Sequence, residues 1–208
     1  APAGDRTRFL LVLRIGAEAA GIERTLAGIA AQTHDGWRLL ILADGECPDA
    51  VRRWIDARPG RVTVAEVPAS ATLAEAVDTA MFASGADFVA ILDGSVTLLG
   101  DCLASVARAA RAAEGDAAVL YCDTCYLDRR GVPLDIHFKP DWNEELFLAQ
   151  NYPDRPVFFS ATAFRNLGGF RPDFPGGEEF DLILRQAAAA PGCIRHIPDV
   201  LATRTVGA

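Results

Sequence analysis

TLAEAVDTAMFASGADFVAILDG, residues 72–94, sets two periodicities back to back. Through 72–84 the apolar residues Leu73, Ala76, Val77 and Ala80 recur every three or four positions, which is one face of a helix. From Ala86 to Leu92 the chain is apolar almost without interruption, and it stops at Asp93-Gly94. A run of that kind reads as a strand covered on both faces, and such strands belong to parallel sheets flanked by helices. The same unit repeats upstream. RFLLVLRI (8–15) is a strand, and 19–33 follow as a helix with Ile22, Leu26, Ile29 and Ala30 on one side. WRLLILA (37–43) and 62–67 are further strands around a short helix at 48–58, and downstream come a helix at 100–114 and a strand at 117–122. The pattern predicts an α/β fold with a mainly parallel central sheet. Sheets of this type take ligands outside the carboxyl ends of their strands, which singles out residues 13–16, 44–46 and 93–95.

Beyond Cys125 the composition shifts. Residues 125–175 carry most of the aromatic side chains together with Pro140, Pro153, Pro156, Pro172 and Pro175, so regular elements should be short there and turns frequent. DRRGVP (128–133) reads as a hairpin turn and WNEELFLAQN (142–151) as a short helix. Ser160 should cap a helix that runs to Leu167 and is ended by Gly168-Gly169. A last helix over 178–190 begins with acidic residues, where the helix dipole favours them. No internal repeat or linker-like stretch divides the chain. The expectation is one domain over 1–208, with a regular sheet half at about 8–122 and a smaller irregular lobe at about 123–208.

Half of the 208 residues are hydrophobic and 23% are charged, which is the balance of a packed globular chain. No apolar stretch reaches the ~18 residues of a membrane helix. Twenty Lys and Arg against 28 Asp and Glu give a net charge of −8, which argues against a broad electrostatic grip on nucleic acid. The chain starts at Ala1 and its only methionine is Met81, so it reads as a piece of a longer protein with further domains; no signal-peptide pattern opens it. Five cysteines, an odd number, match no secreted disulfide framework, so the expected compartment is the cytoplasm, with any attachment to the inner face of a membrane made by other parts of the protein. Cys122 and Cys125 form a CxxC without a second ligand pair and read as strand residues rather than zinc ligands. The histidines show no metal or triad spacing. His34 reads as a surface residue and His196 as a lone polar residue in a strand.

Neither GxGxxG nor GxxxxGK[ST] nor G-x-S-x-G occurs, which disfavours a dinucleotide dehydrogenase, a P-loop NTPase and an α/β-hydrolase. Asp44 and Asp93 both follow strands and should approach each other at the carboxyl edge. A carboxylate placed there can accept hydrogen bonds from a ribose or a base, or ligate Mg²⁺ or Mn²⁺ on a diphosphate. The plainer role for either residue is an Asx turn. At the other end, PGGEEFDLILR (175–185) sets Glu178, Glu179 and Asp181 at the start of a helix behind a Gly-Gly pair. Any of them can act as a general base on a hydroxyl; the plainer role is compensation of the helix dipole.

Read in order, TLAGIAAQTHDGWRLLILADGE (25–46), ADFVAILDGSVTLLGDCL (86–103), LYCDTCYLDRRGVPLDIHFKPDWNEELFLAQNY (120–152), GGFRPDFPGGEEFDLILR (168–185) and HIPDVL (196–201) resemble the blocks of a family 2 glycosyltransferase of the bacterial polysaccharide or O-antigen type. The resemblance covers nearly the whole chain, and FKPDW, NY and GGF in that order are its most specific parts. It implies a GT-A, Rossmann-like fold with a nucleotide-binding half and an acceptor-side lobe. It also implies inverting transfer of a sugar from a nucleotide-diphosphate donor to a glycan or lipid-linked acceptor. Mapped by the resemblance, Asp44, Asp93, Ser95 and Asp123 hold the nucleotide sugar. Asp93 is the remaining metal ligand for Mg²⁺ or Mn²⁺, and Glu179, with Asp181, serves the acceptor as base.

The departures cluster at the same edge. Ala43 replaces the first acid of the nucleotide doublet, Gly94-Ser95-Val96 replace two further metal-loop acids, and Cys125 replaces the second acid of the "YsDeD" element. LRIG (13–16) stands where a proline-aromatic-asparagine turn is usual. One carboxylate and one hydroxyl make a poor Mg²⁺ site, and an Arg or Lys can neutralise a diphosphate instead. Two readings follow: a transferase, or a GT-A domain kept as a glycan- or partner-binding or structural module. An open cleft between Asp44, Asp93 and Glu179 favours the first; an Arg or Trp side chain filling it favours the second.

Overall fold

The computed structural model describes residues 6–15, 21–43, 45, 47–66, 72–113 and 117–207. The first half contains β1 (Phe9–Ile15), α1 (Ile22–Ala30), β2 (Trp37–Ala43), α2 (Asp49–Asp56), β3 (Val62–Glu66), α3 (Leu73–Ser84), β4 (Phe88–Leu92), β5 (Val96–Leu98) and α4 (Cys102–Ala112). The second contains β6 (Val119–Leu127), β7 (Pro133–His137), α5 (Glu144–Ala149), β8 (Val157–Ser160), α6 (Ala161–Asn166), α7 (Glu178–Ala189) and β9 (Ile194–Thr205).

The apolar runs are explained by two cores, one on each face of the sheet. Successive side chains of a strand point to opposite faces. In β1, Leu11 and Leu13 pack with Leu26 and Ile29 of α1 and Leu103 of α4, while Leu10 and Val12 pack with Val77 and Met81 of α3 and Leu182 of α7. A strand needs apolar residues at every position only when both faces are covered. The helix ends follow local chemistry. Thr72 and Glu75 form a reciprocal capping box on α3, and Gly85 closes that helix at φ 60°. Ser160 accepts from the Ala163 N–H and caps α6, as its position in the sequence predicts.

The strand order is β3-β2-β1-β4-β8-β6-β9-β5, with β7 paired to β6 alone. β3, β2, β1 and β4 are mutually parallel, as expected. The sheet as a whole is mixed, because β8 from the second half lies antiparallel between β4 and β6. β6 is longer than the expected strand at 117–122 and carries both cysteines of the CxxC. An odd offset along a strand puts Cys122 and Cys125 on opposite faces. His34 is a correction: it is buried rather than superficial, packed edge-on against Phe9 with ring centroids 5.3 Å apart. The cause is the turn after α1, where the His34 Nδ1 accepts from the Gly36 N–H and the ring is turned onto Phe9. Among the described residues no helix is long and apolar enough to cross a membrane.

Candidate active site

Asp93 leaves β4 at the carboxyl edge, and its two oxygens have different partners. Oδ1 accepts from the Ser95 N–H at 2.8 Å and the Ser95 hydroxyl at 2.5 Å, an Asx-type turn. The turn is held from beneath by Thr25 of α1, whose hydroxyl donates to the Val96 carbonyl at 2.7 Å. Gly21, at φ 86°, comes so close that a Cβ there would sit 2.1 Å from the Gly94 carbonyl oxygen, so this approach requires glycine. Oδ2 accepts from Nη1 of Arg155 at 2.8 Å.

The same guanidinium reaches the other candidate acid. Nε of Arg155 donates to Oε2 of Glu179 at 2.5 Å. One cation thus joins an acid from the end of β4 to an acid from the first turn of α7. Glu179 is nearly buried, and its second oxygen, Oε1, has no hydrogen-bond partner among the described residues. Burial pushes the Glu179 carboxyl above the ordinary carboxylate range, against the opposing pull of Arg155. Asp93 goes the other way: burial would raise it, but the Ser95 hydroxyl and Arg155 together hold it low. Burial alone would lower the Arg155 pKa, and Glu179 and Asp93 outweigh that and raise it.

Arg155 is positioned by its neighbours on the chain. Asp154 adopts φ 37°, a left-handed conformation that Asp tolerates, and pairs with Arg204 of β9. Pro153 is tied down by Lys139, whose Nζ donates to its carbonyl at 2.6 Å and to the Thr124 hydroxyl at 3.2 Å. Asp154, Arg155 and Arg204 border a cavity of about 240 Å³ that is also lined by Asn151, Gly176 and Glu179. Asp93 is not in that lining, although it pairs with Arg155. A second cavity, about 310 Å³ and lined by Arg8, Trp37, Arg38 and Arg61, is at the opposite, amino edge of the parallel strands and holds no pair of candidate acids and bases.

The remaining candidate residues separate. Asp44 lies outside the described residues. Asp181 is two positions from Glu179, hence on another side of the helix. It pairs with Arg185 at 2.7 Å and Arg171 at 3.6 Å, and Arg185 donates on to the carbonyls of Leu167 and Gly169. Asp181 therefore braces α7 against the GGF turn. Asp123 is buried in β6, where its Oδ1 accepts from the Lys139 N–H at 2.8 Å and pairs with Nε2 of His196 at 2.7 Å. His196 is thus partnered rather than alone. Arg155, Asp154 and Arg204 carry no motif, and sequence reasoning passed over them; the one signal was an Arg between Pro153 and Pro156 directly after the NY pair.

A divalent cation does not fit this arrangement. Oδ1 of Asp93 has two donors, Oδ2 faces a guanidinium, and the described residues contain no group of three or more His, Cys, Asp or Glu side chains able to hold an ion. Mg²⁺ and Mn²⁺ call for free carboxylate oxygens, and a dication beside Arg155 is repelled.

Comparison with known proteins places these observations. The family model described as glycosyl transferase family 2 matches residues 17–168. The O-antigen biosynthesis protein RfbC of Myxococcus xanthus is 30% identical over 188 residues, which is 89% of this chain and 15% of that protein. An uncharacterized protein of Sinorhizobium fredii is 29% identical over 177 residues, 84% of this chain and 19% of its own length. The chain thus spans less than a fifth of either curated relative. Among solved structures, S. aureus TarS 1–349 in complex with UDP superposes with a TM-score of 0.75 at 16% identity, covering 96% of this chain and 61% of that one. The mannosyltransferase PcManGT from Pyrobaculum calidifontis, in complex with GDP-Man and Mn²⁺, gives 0.66 at 20% identity, covering 96% and 57%.

Proposed function

The chain belongs to glycosyl transferase family 2 and has the GT-A fold of these structures, and on that premise we propose that it transfers a sugar from a nucleoside diphosphate donor to a glycan or lipid-linked acceptor hydroxyl, with inversion at the anomeric carbon, in polysaccharide assembly. The O-antigen relative supports the polysaccharide context, and the UDP and GDP-Man held by the structural neighbours support the donor class.

The observation that carries this reading is Glu179. A nearly buried carboxylate with one oxygen unpartnered among the described residues, bordering a polar cavity at the carboxyl edge of the sheet, is the geometry of a general base awaiting a hydroxyl. The acceptor hydroxyl donates to Oε1, its oxygen attacks the anomeric carbon, and the bond from that carbon to the diphosphate oxygen breaks. The bonding pair leaves with the nucleoside diphosphate, and the proton passes to Glu179. Burial serves this role by raising the affinity of the carboxylate for the proton. Asp93 and Ser95 lie on the donor side of Arg155, with Asp44 proposed for the nucleotide. Asp123 and Asp181 act at one remove, by holding the segment around Lys139 and the start of α7.

The second reading, a domain kept as a binding or structural module, has one observation in its favour: Arg155 stands between Asp93 and Glu179 and pairs with both. A cavity lined by Arg155 and Glu179, though not by Asp93, remains beside that side chain and supports the transferase reading. Calorimetric titration of the chain with UDP, GDP and dTDP, each with and without Mn²⁺, separates the two. Saturable binding of one nucleotide is expected; absence of binding to all three at millimolar concentration in both buffers establishes the module instead.

A further inference from the structure

We propose that Arg155 stands in for the divalent ion: its guanidinium receives the diphosphate of the donor, and nucleotide binding by this chain needs no metal. This inference rests on the sugar-transfer reading.

Arg155 already occupies the position of positive charge beside the one metal-loop acid that the chain keeps. Its five N–H groups are not exhausted there. Nε is bound to Glu179 and one Nη1 proton to Asp93, which leaves three donors, and no partner for Nη2 is present among the described residues. The side chain borders the cavity and is a quarter exposed, so these donors are within reach of a ligand. A guanidinium presents paired donors that match two phosphate oxygens, the geometry that a lone point charge lacks.

The placement is also preorganised. Two carboxylates hold the guanidinium from two directions, Asp154 is fixed by Arg204, and Lys139 fixes the preceding carbonyl. Charge held in advance where negative charge develops on the leaving group stabilises a transition state without reorganisation. The thinning of the metal loop to a single acid has the same cause. Further acids around Asp93 would bind Arg155 more tightly and repel the diphosphate, whereas one acid orients the guanidinium and leaves it donors to offer. Because Arg155 bonds Glu179 as well, a diphosphate seated on it lies next to the proposed base, which brings donor and acceptor sides together at one residue.

The test is a calorimetric titration of UDP and GDP into the intact chain in EDTA and in Mn²⁺, for the wild type, Arg155→Ala and Arg155→Lys, with thermal melting to confirm that each variant is folded. The wild type should bind one nucleotide with a Kd that differs less than about twofold between the two buffers. Arg155→Ala should weaken binding by about tenfold or more, the scale of a charge-assisted hydrogen bond, and Arg155→Lys by less. Should Arg155→Ala fail to fold, the wild-type comparison and the Lys variant decide. A requirement for Mn²⁺, or an unchanged Kd in a folded Arg155 variant, overturns the inference and leaves sugar transfer standing. Absence of nucleotide binding in both buffers overturns the transfer reading itself.

Discussion

Two polar clusters differ in what they are built to do. In one, Asp123, His196, Lys139 and Thr124 pair with one another inside the protein: Asp123 accepts from the Lys139 N–H and pairs with the His196 ring, while the Lys139 ammonium donates to the Thr124 hydroxyl and the Pro153 carbonyl. In the other, Asp93, Arg155 and Glu179 share a cation, keep donors in reserve and leave one carboxylate oxygen unmet beside a cavity. Buried polar groups are normally paired, and an orphan in a native structure asks for an explanation. The difference teaches how to tell a strut from a site. Both clusters contain an acid from a motif of the sequence, but only the second has a buried side-chain oxygen with no partner among the described residues. The strut also serves the site, because Lys139 holds Pro153 and so fixes where Arg155 begins.

The contrast breaks most sharply at Glu179. Glu179→Gln keeps the shape and the bond from Arg155 but removes the base, so the sugar-transfer rate should fall by about 10²–10⁴-fold, measured as nucleotide released per acceptor glycosylated, with the fold and nucleotide binding retained. A rate that survives the change would move the base elsewhere. On the strut side, Asp123→Ala leaves the Lys139 N–H and the His196 ring without their buried acceptor, at about 1–3 kcal/mol for each group. Urea unfolding should record that loss, while nucleotide affinity of the molecules still folded should change little.

A smaller effect separates the two acids of the site by pH. The Glu179 carboxyl is raised in the folded state, so its contribution to stability is present at low pH and is lost as pH rises through its elevated pKa. Asp93 is lowered, so its contribution is present above the ordinary carboxylate range and is lost as pH falls through its depressed pKa. Melting temperatures across that range should therefore show Glu179→Gln gaining on the wild type as pH rises and Asp93→Asn gaining as pH falls. The same Glu179 pKa should appear as a limb in the transfer rate, which rises with pH at a value above that of an ordinary carboxylate.

Much of the fold was legible because its causes are local. A strand covered on both faces must be apolar at every position, and Phe88–Leu92 declares that in five residues. Ser160 marks a helix start through a bond spanning three positions. The insertion of β8 between β4 and β6 was not legible, since a short apolar strand carries no label for its neighbours. His34 was misread for a related reason: a polar residue in a turn reads as exposed until the turn is known to set the ring against Phe9.

For the site, the sequence by itself determined which acids are present and which are lost, and through the order of its blocks the family from which they descend. Periodicity marked Asp93 at a strand exit and Glu178, Glu179 and Asp181 together at a helix start, and the resemblance singled out Glu179 among the three. Only the tertiary structure decided that Glu179 faces the cavity while Asp181 braces the helix, and that a guanidinium stands between Glu179 and Asp93. The physical reason is distance along the chain. Arg155 meets Asp93 across 62 positions and Glu179 across 24, and no periodicity, cap or turn encodes a contact that exists only after β4, β8 and α7 have packed together.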